Sequence, residues 1–114
     1  MAKCKGRIKK IVKGSKITYK KMSCKGKCKD DEKCKWRKSK PDAHGSIREW
    51  CGCGETEPDY CHLVFYTPGR GAGGGDPEVF CAGDCKKEKK CKLKEKFIGD
   101  GATGKVYELT CSCK

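Results

Sequence analysis

The chain has 114 residues, 38% of them charged and only 35% hydrophobic, with a formal charge of +13 and 12 cysteines. A chain this polar cannot bury a generous apolar core, and two units of roughly 55 residues are marginal without cross-links or metals. The longest apolar runs, such as Leu63-Val64-Phe65-Tyr66, exclude a membrane-crossing helix.

From the amino terminus, Ile8, Ile11 and Val12, then Ile17 and Tyr19, flank a Lys-Gly-Ser-Lys turn at 13–16, which predicts a β-hairpin. The segment from Cys24 to Cys34 reads as a tight loop or a helical turn. Lys33 to Lys40 leads through Pro41-Asp42-Ala43-His44-Gly45 into Ser46 to Cys53, a second strand–turn–strand unit. Residues 54–60 form a short linker. Leu63 to Tyr66 and Val79-Phe80 then flank a Gly-rich loop at 67–77, and Cys81 to Cys91 repeats the ambiguity of Cys24 to Cys34. Lys90 to Ile98 and Lys105 to Cys113 flank a Gly-Asp-Gly turn at 99–104, with Tyr107, Leu109, Cys111 and Cys113 alternating onto one face.

The order of elements is a duplication. Cys4, Cys24, Cys28, Cys34, Cys51 and Cys53 map on Cys61, Cys81, Cys85, Cys91, Cys111 and Cys113, with one interval longer by three residues in the second copy. The expected fold class is a small, disulfide-rich, mainly β protein of two tandem six-cysteine modules built from β-hairpins, at 1–57 and 58–114. Gly26 and Gly83 recur midway between matched cysteines, as expected where the backbone needs positive φ or close approach. Six cysteines per module divide into three disulfides but not into four-ligand zinc sites, and C-x5-C and C-x-C fit zinc knuckles poorly. All twelve cysteines are therefore disulfide candidates, with 15 pairings open in each module and bridges between modules or chains also open. Disulfide density places the chain in a secreted or cell-envelope setting. Residues 1–20 carry no apolar signal-peptide core, so the numbering is expected to start at a mature form.

Charge is uneven. Residues 1–40 hold 17 Lys/Arg against three acids, and residues 41–80 hold two against seven. Lys9, Lys10, Lys13, Lys16, Lys20, Lys21, Lys25 and Lys27 are the candidate contacts for a polyanion. Lysine outnumbers arginine by 24 to 4, which suits diffuse polyanion contact over bidentate readout. Catalytic candidates are few. His44 falls in a turn and His62 at a strand start, the acids at 30–32 and 55–59 read as solvated surface, and the Gly-rich loop lacks the Gly-Lys-Ser/Thr ending of a phosphate loop. With Cys51 and Cys53 facing inward, Trp50 faces outward, where it covers the other module or, second, becomes a partner-contact candidate; a shifted register is the remaining alternative.

The basic, cysteine-dense β character and the C-x-C endings resemble small secreted antimicrobial or antifungal proteins, although the cysteine spacing does not match them. The expected function is that of a non-catalytic secreted or cell-envelope structural or assembly protein without cofactors, such as a subunit of an extracellular polymer. Its expected partners are further copies or another extracellular protein. The alternatives are a soluble cationic or antimicrobial protein acting on an anionic polysaccharide or membrane surface, and a cytosolic zinc or nucleic-acid-binding protein.

Overall fold

The computed structural model of the chain describes residues 3–28, 33–54, 56–69, 76–101 and 104–114. The described residues contain eight strands and no helix: β1 (Lys3–Lys13), β2 (Lys16–Lys27), β3 (Lys35–Lys38), β4 (Ile47–Gly52), β5 (His62–Thr67), β6 (Glu78–Ala82), β7 (Cys91–Gly101) and β8 (Gly104–Cys113). They make four antiparallel hairpins. The β1–β2 turn is the two residues Gly14-Ser15, and Gly14 supplies the positive φ of 59° that such a tight turn needs. The segment after Cys24 is neither loop nor helix at first, because β2 runs on to Lys27.

Hairpin length follows from proline. Pro41, Pro68 and Pro77 stand beyond the ends of β3, β5 and before β6, where a missing N–H and a fixed φ stop ladder growth. The β3–β4 and β5–β6 hairpins are therefore short. No proline interrupts β1–β2 or β7–β8, whose strands reach 10 to 12 residues.

The two sheets are not the two sequence repeats. One sheet has the order β2-β1-β8-β7 and the other β3-β4-β5-β6, so each takes one hairpin from either half of the chain. We call them the long and the short sheet. The seams between halves are equivalent. In the long sheet Ile8 pairs with Leu109, and in the short sheet Phe65 pairs with Glu49. These are the same positions under the offsets of 57 and 60 that relate the repeats. The halves are thus related by an approximate two-fold axis and have exchanged hairpins, as two subunits do in an isologous dimer. Close backbone approach recurs at both seams: a Cβ on Gly104 would meet the Val12 carbonyl oxygen at 2.3 Å, and one on Gly69 would meet that of His44 at 1.9 Å.

Between the sheets lies a small apolar layer of Ile8, Leu63 and Leu109, flanked by Tyr19, Trp36, Phe65 and Val79. Gly6 makes room for the Trp36 ring, which approaches within 3.0 Å of where a glycine-6 Cβ would stand. Much of the remaining interior is cystine. All twelve cysteines pair, each within its own repeat: Cys4–Cys34, Cys24–Cys51 and Cys28–Cys53, then Cys61–Cys91, Cys81–Cys111 and Cys85–Cys113. Both repeats use the same order, first to fourth, second to fifth, third to sixth. Cys24 to Cys28 and Cys51 to Cys53, joined by two of these bonds, close a ring of eight residues. In the second repeat the Cys61 sulfur lies within 4.8 Å of the Cys85–Cys113 pair, and the Cys91 sulfur within 4.8 Å of the Cys81–Cys111 pair. The third bond therefore reaches from one ring bridge to the other, the arrangement of a cystine knot. The expected positive φ inside the ring is present at Gly26 (136°) and Gly83 (100°). At Gly83 a Cβ would also stand 2.1 Å from the Tyr60 carbonyl oxygen.

Candidate polyanion-binding face

Disulfide bonding removes the sulfurs from other chemistry. The clusters Cys4/Cys28/Cys34/Cys53, Cys61/Cys85/Cys113 and Cys81/Cys91/Cys111 have the proximity of metal ligands only because cystines stack there. The zinc alternative has no thiolate left to use. His44 is exposed in a turn capped by Asp42, whose carboxylate accepts from the backbone N–H groups of Ser46 and His44 and is held below its ordinary range by them. The acids at 30–32, Glu55 and the centre of the Gly-rich loop lie outside the described residues.

Trp50 corrects one expectation. Strand alternation does place it on the face of β4 turned away from the other sheet, but it is 2% exposed. It pairs across the seam with Val64, which is fully buried, and its ring lies over Gly52 close to Pro58. The segment joining the two repeats covers this face, so the partner of Trp50 is its own chain. Glu57 fastens that cover. Its carboxylate accepts two bonds from Arg48, at 2.8 and 2.7 Å, and lies 2.9 Å from His62 Nε2. His62 Nδ1 faces the Tyr60 carbonyl oxygen at 2.7 Å. Both imidazole nitrogens thus stand within hydrogen-bond distance of an oxygen. Tyr60 in turn accepts from the Cys4 backbone N–H through its hydroxyl. His62, 5% exposed, is a fastening group of the fold.

Burial pushes the Glu57 pKa up, but the bonds from Arg48 and His62 outweigh it and hold the carboxyl below its ordinary value of 4.5. A depressed carboxyl stabilises the fold fully above its unfolded pKa and loses that contribution as pH falls through the folded one. We expect Glu57→Gln to cost about 1–2 kcal/mol at neutral pH. The difference from the parent should shrink below about pH 4. Urea unfolding at pH 7 and pH 3 measures both; an equal cost at the two values would dissociate Glu57 from the acid sensitivity.

The lysines sort by face. Side chains alternate along a strand, so β1 residues 8, 10 and 12 face the other sheet while 5, 7, 9 and 13 face outward. Lys10 and Lys21, two of the polyanion candidates, face inward and are engaged: Lys10 donates to Glu95 at 2.8 Å and Lys21 to Glu49 at 2.6 Å. The Glu95 bond, against the opposing effect of burial, raises the Lys10 pKa. Lys9, Lys13, Lys16, Lys20 and Lys25 lie on the outer face, and Lys27 is exposed at the end of β2. Directly opposed lysine pairs occur there, among them Lys5 with Lys25, Lys9 with Lys20 and Lys13 with Lys16. Like charges opposite one another destabilise a ladder by a few tenths of a kcal/mol or more, roughly 0.2–1 each.

The strands of the long sheet carry 15 Lys/Arg against three acids, and those of the short sheet four against two. Two of the three long-sheet acids, Glu95 and Asp100, pair with inward residues Leu109 and Lys105. Glu108 alone shares the outer face, where it meets Arg7 at 3.3 Å. Sequence reasoning missed that β7 joins this face: Lys92, Lys94 and Lys96 pair with outward positions of β8. Their alternation with Leu93, Glu95 and Phe97 was the available signal. No protein-family model, curated protein or solved structure matches the chain.

Proposed function

We propose that the protein is a secreted, non-catalytic binding protein that docks its long sheet on a polyanionic surface outside the cell. The observation that carries this reading is the segregation of charge: among the described residues, one sheet face gathers cations from both repeats with a single acid among them. Six disulfides fit an oxidising extracellular environment, and no helix among the described residues is long and apolar enough to cross a membrane. A knot that holds the sheet rigid lowers the entropy cost of presenting a fixed array of charges.

The reading predicts binding that is strong at low ionic strength and steeply weakened by salt, because exposed charge contacts are screened over about 8 Å at physiological ionic strength. Retention on a sulfated matrix across a salt series from about 0.05 to about 0.5 M tests it. Binding indifferent to salt, or none to any polyanion at low salt, would remove the proposal.

Self-assembly into an extracellular polymer is the second reading. It is supported by edge strand β7, which leaves Leu93, Phe97 and Ile98 between 41% and 52% exposed. Lysines along β2 and β7 oppose edge-to-edge pairing, and the equivalent seams are already closed within one chain. Light scattering across a concentration series at low salt decides: a monodisperse monomer throughout leaves this reading without support.

A further inference from the structure

We infer that the outer face of the long sheet is a binding site for a linear anionic polysaccharide, laid across all four strands so that lysines of both halves of the chain share it. This deepens the proposed polyanion docking and rests on it.

Register puts the cations in rows across the sheet. Lys20, Lys9, Glu108 and Lys96 are directly cross-paired from β2 through β1 and β8 to β7. Neighbouring strands stand about 4.8 Å apart, so this row spans roughly 14 Å. Lys92 and Lys94 continue the β7 side toward the knot, and Lys5, Arg7 and Lys25 continue the β1–β2 side. There the ladder is irregular: Gly6 pairs with Cys24 but Ile8 with Lys21, so Met22 and Ser23 together oppose Arg7. This bulge opens a shallow depression lined by Lys5, Arg7, Ser23, Lys25 and Gly26. Two lysines, an arginine and a serine line this hollow, Arg7 also meeting Glu108 at 3.3 Å, and their cationic side chains suit a sulfate or carboxylate group, with the β7 lysines taking further charges along the same chain.

The rest of the face selects among polyanions. Among the described residues it carries no aromatic side chain: Tyr19 and Tyr107 face inward, and Phe97 is paired with Tyr107. Single-stranded nucleic acid is held by stacking on aromatics as well as by charge, and this face offers charge alone. Ile11 and Val106, its apolar residues in the two central strands, are half-buried and do not project as a membrane wedge; Met22, 39% exposed, stands in the bulge on edge strand β2. A lysine-dominated array with one open hollow fits a flexible polymer of repeating sulfate or carboxylate groups.

The test uses the whole oxidised chain and three probes: a size-defined heparin oligosaccharide, vesicles containing phosphatidylserine, and a single-stranded oligonucleotide. Wild type should bind the oligosaccharide most tightly at 0.15 M salt, near the ionic strength used for screening estimates. Lys92→Gln/Lys94→Gln/Lys96→Gln should weaken it about tenfold or more, as should Lys5→Gln/Lys25→Gln, while Lys10→Gln, on the opposite face, should change it less than about twofold. Unchanged far-ultraviolet circular dichroism and six intact disulfides in each variant exclude misfolding as the cause. An undiminished affinity in the β7 triple variant overturns the shared site. Tighter binding to the vesicles or the oligonucleotide overturns the polysaccharide assignment but leaves the polyanion reading intact, whereas failure to bind all three probes at low salt removes both.

Discussion

Reduced at all six disulfides, the chain is expected to lose its cooperative fold at 25 °C. Among the described residues the fully buried apolar side chains are few, with Ile8, Leu109 and Val64 the largest below 2% exposure, and much of the interior of the first half is sulfur. Each bridge spans 25 to 30 residues of sequence. Loops of that length correspond to about 3–4 kcal/mol per isolated disulfide, with typical native losses of about 2–5. Nested loops share part of that constraint, so the six do not add. Even two or three independent contributions equal the whole stability of an ordinary small domain, about 5–15 kcal/mol.

The knot can be probed one bond at a time. Cys4→Ala/Cys34→Ala removes the bond whose two residues are 6% and 5% exposed, and Cys61→Ala/Cys91→Ala removes its half-buried equivalent. Both pairs close the same length of chain, 30 residues. A loop-closure account predicts equal losses. Burial predicts the larger loss for the first pair, because it also leaves a void in a packed cluster with Cys28 and Cys51. Urea unfolding of both variants, with the remaining bonds verified by mass, ranks them. A reduced chain that still unfolds cooperatively would overturn the claim that cystine replaces an apolar core.

The parts of this fold that sequence exposes are its local ones. Turn chemistry at Gly14-Ser15 and the alternation of Tyr107, Leu109, Cys111 and Cys113 are properties of a few adjacent residues, and the hairpins appear where those properties place them. The matched cysteine spacing likewise marked the duplication, although it left 15 pairings open in each module and bridges between modules open as well. The exchange of hairpins was not legible. Ile8 on β1 would satisfy an alternating pattern beside β4 of its own repeat as well as beside β8 of the other, and only the closeness of Leu109 and Leu63 around it decides. The same limit explains Trp50. Alternation gave the correct face, but the covering segment with Glu57 and Pro58 has no periodicity that would reveal where it lies. For the candidate site, charge density marked β1 and β2. It could not separate Lys9 from Lys10 without knowing which face another sheet covers, nor add the lysines of β7, which lie more than 60 residues away in sequence.

Exchange of hairpins has a consequence for stability that separate modules would not share. Leu109 lies in β8, in the second half of the chain, and is 1% exposed against Ile8 and Leu63. Leu109→Ala should cost about 2–5 kcal/mol, the usual range for a leucine truncated in a packed interior. Both tryptophans, Trp36 and Trp50, belong to the first half. Their fluorescence therefore reports the unfolding of residues 1–57, where no atom has been changed. If the halves were independent, the tryptophan transition of this variant would coincide with that of wild type, and only signals from the second half would shift. With each sheet built from both halves, removal of Leu109 should move the tryptophan transition by the full amount, in step with backbone circular dichroism. Phe97→Ala, at a side chain 52% exposed on the edge strand, is the matched control and should cost under about 1 kcal/mol. A tryptophan transition unmoved by Leu109→Ala would mean that the halves fold separately. The seam pairings of Ile8 with Leu109 and Phe65 with Glu49 would then contribute little to holding them together.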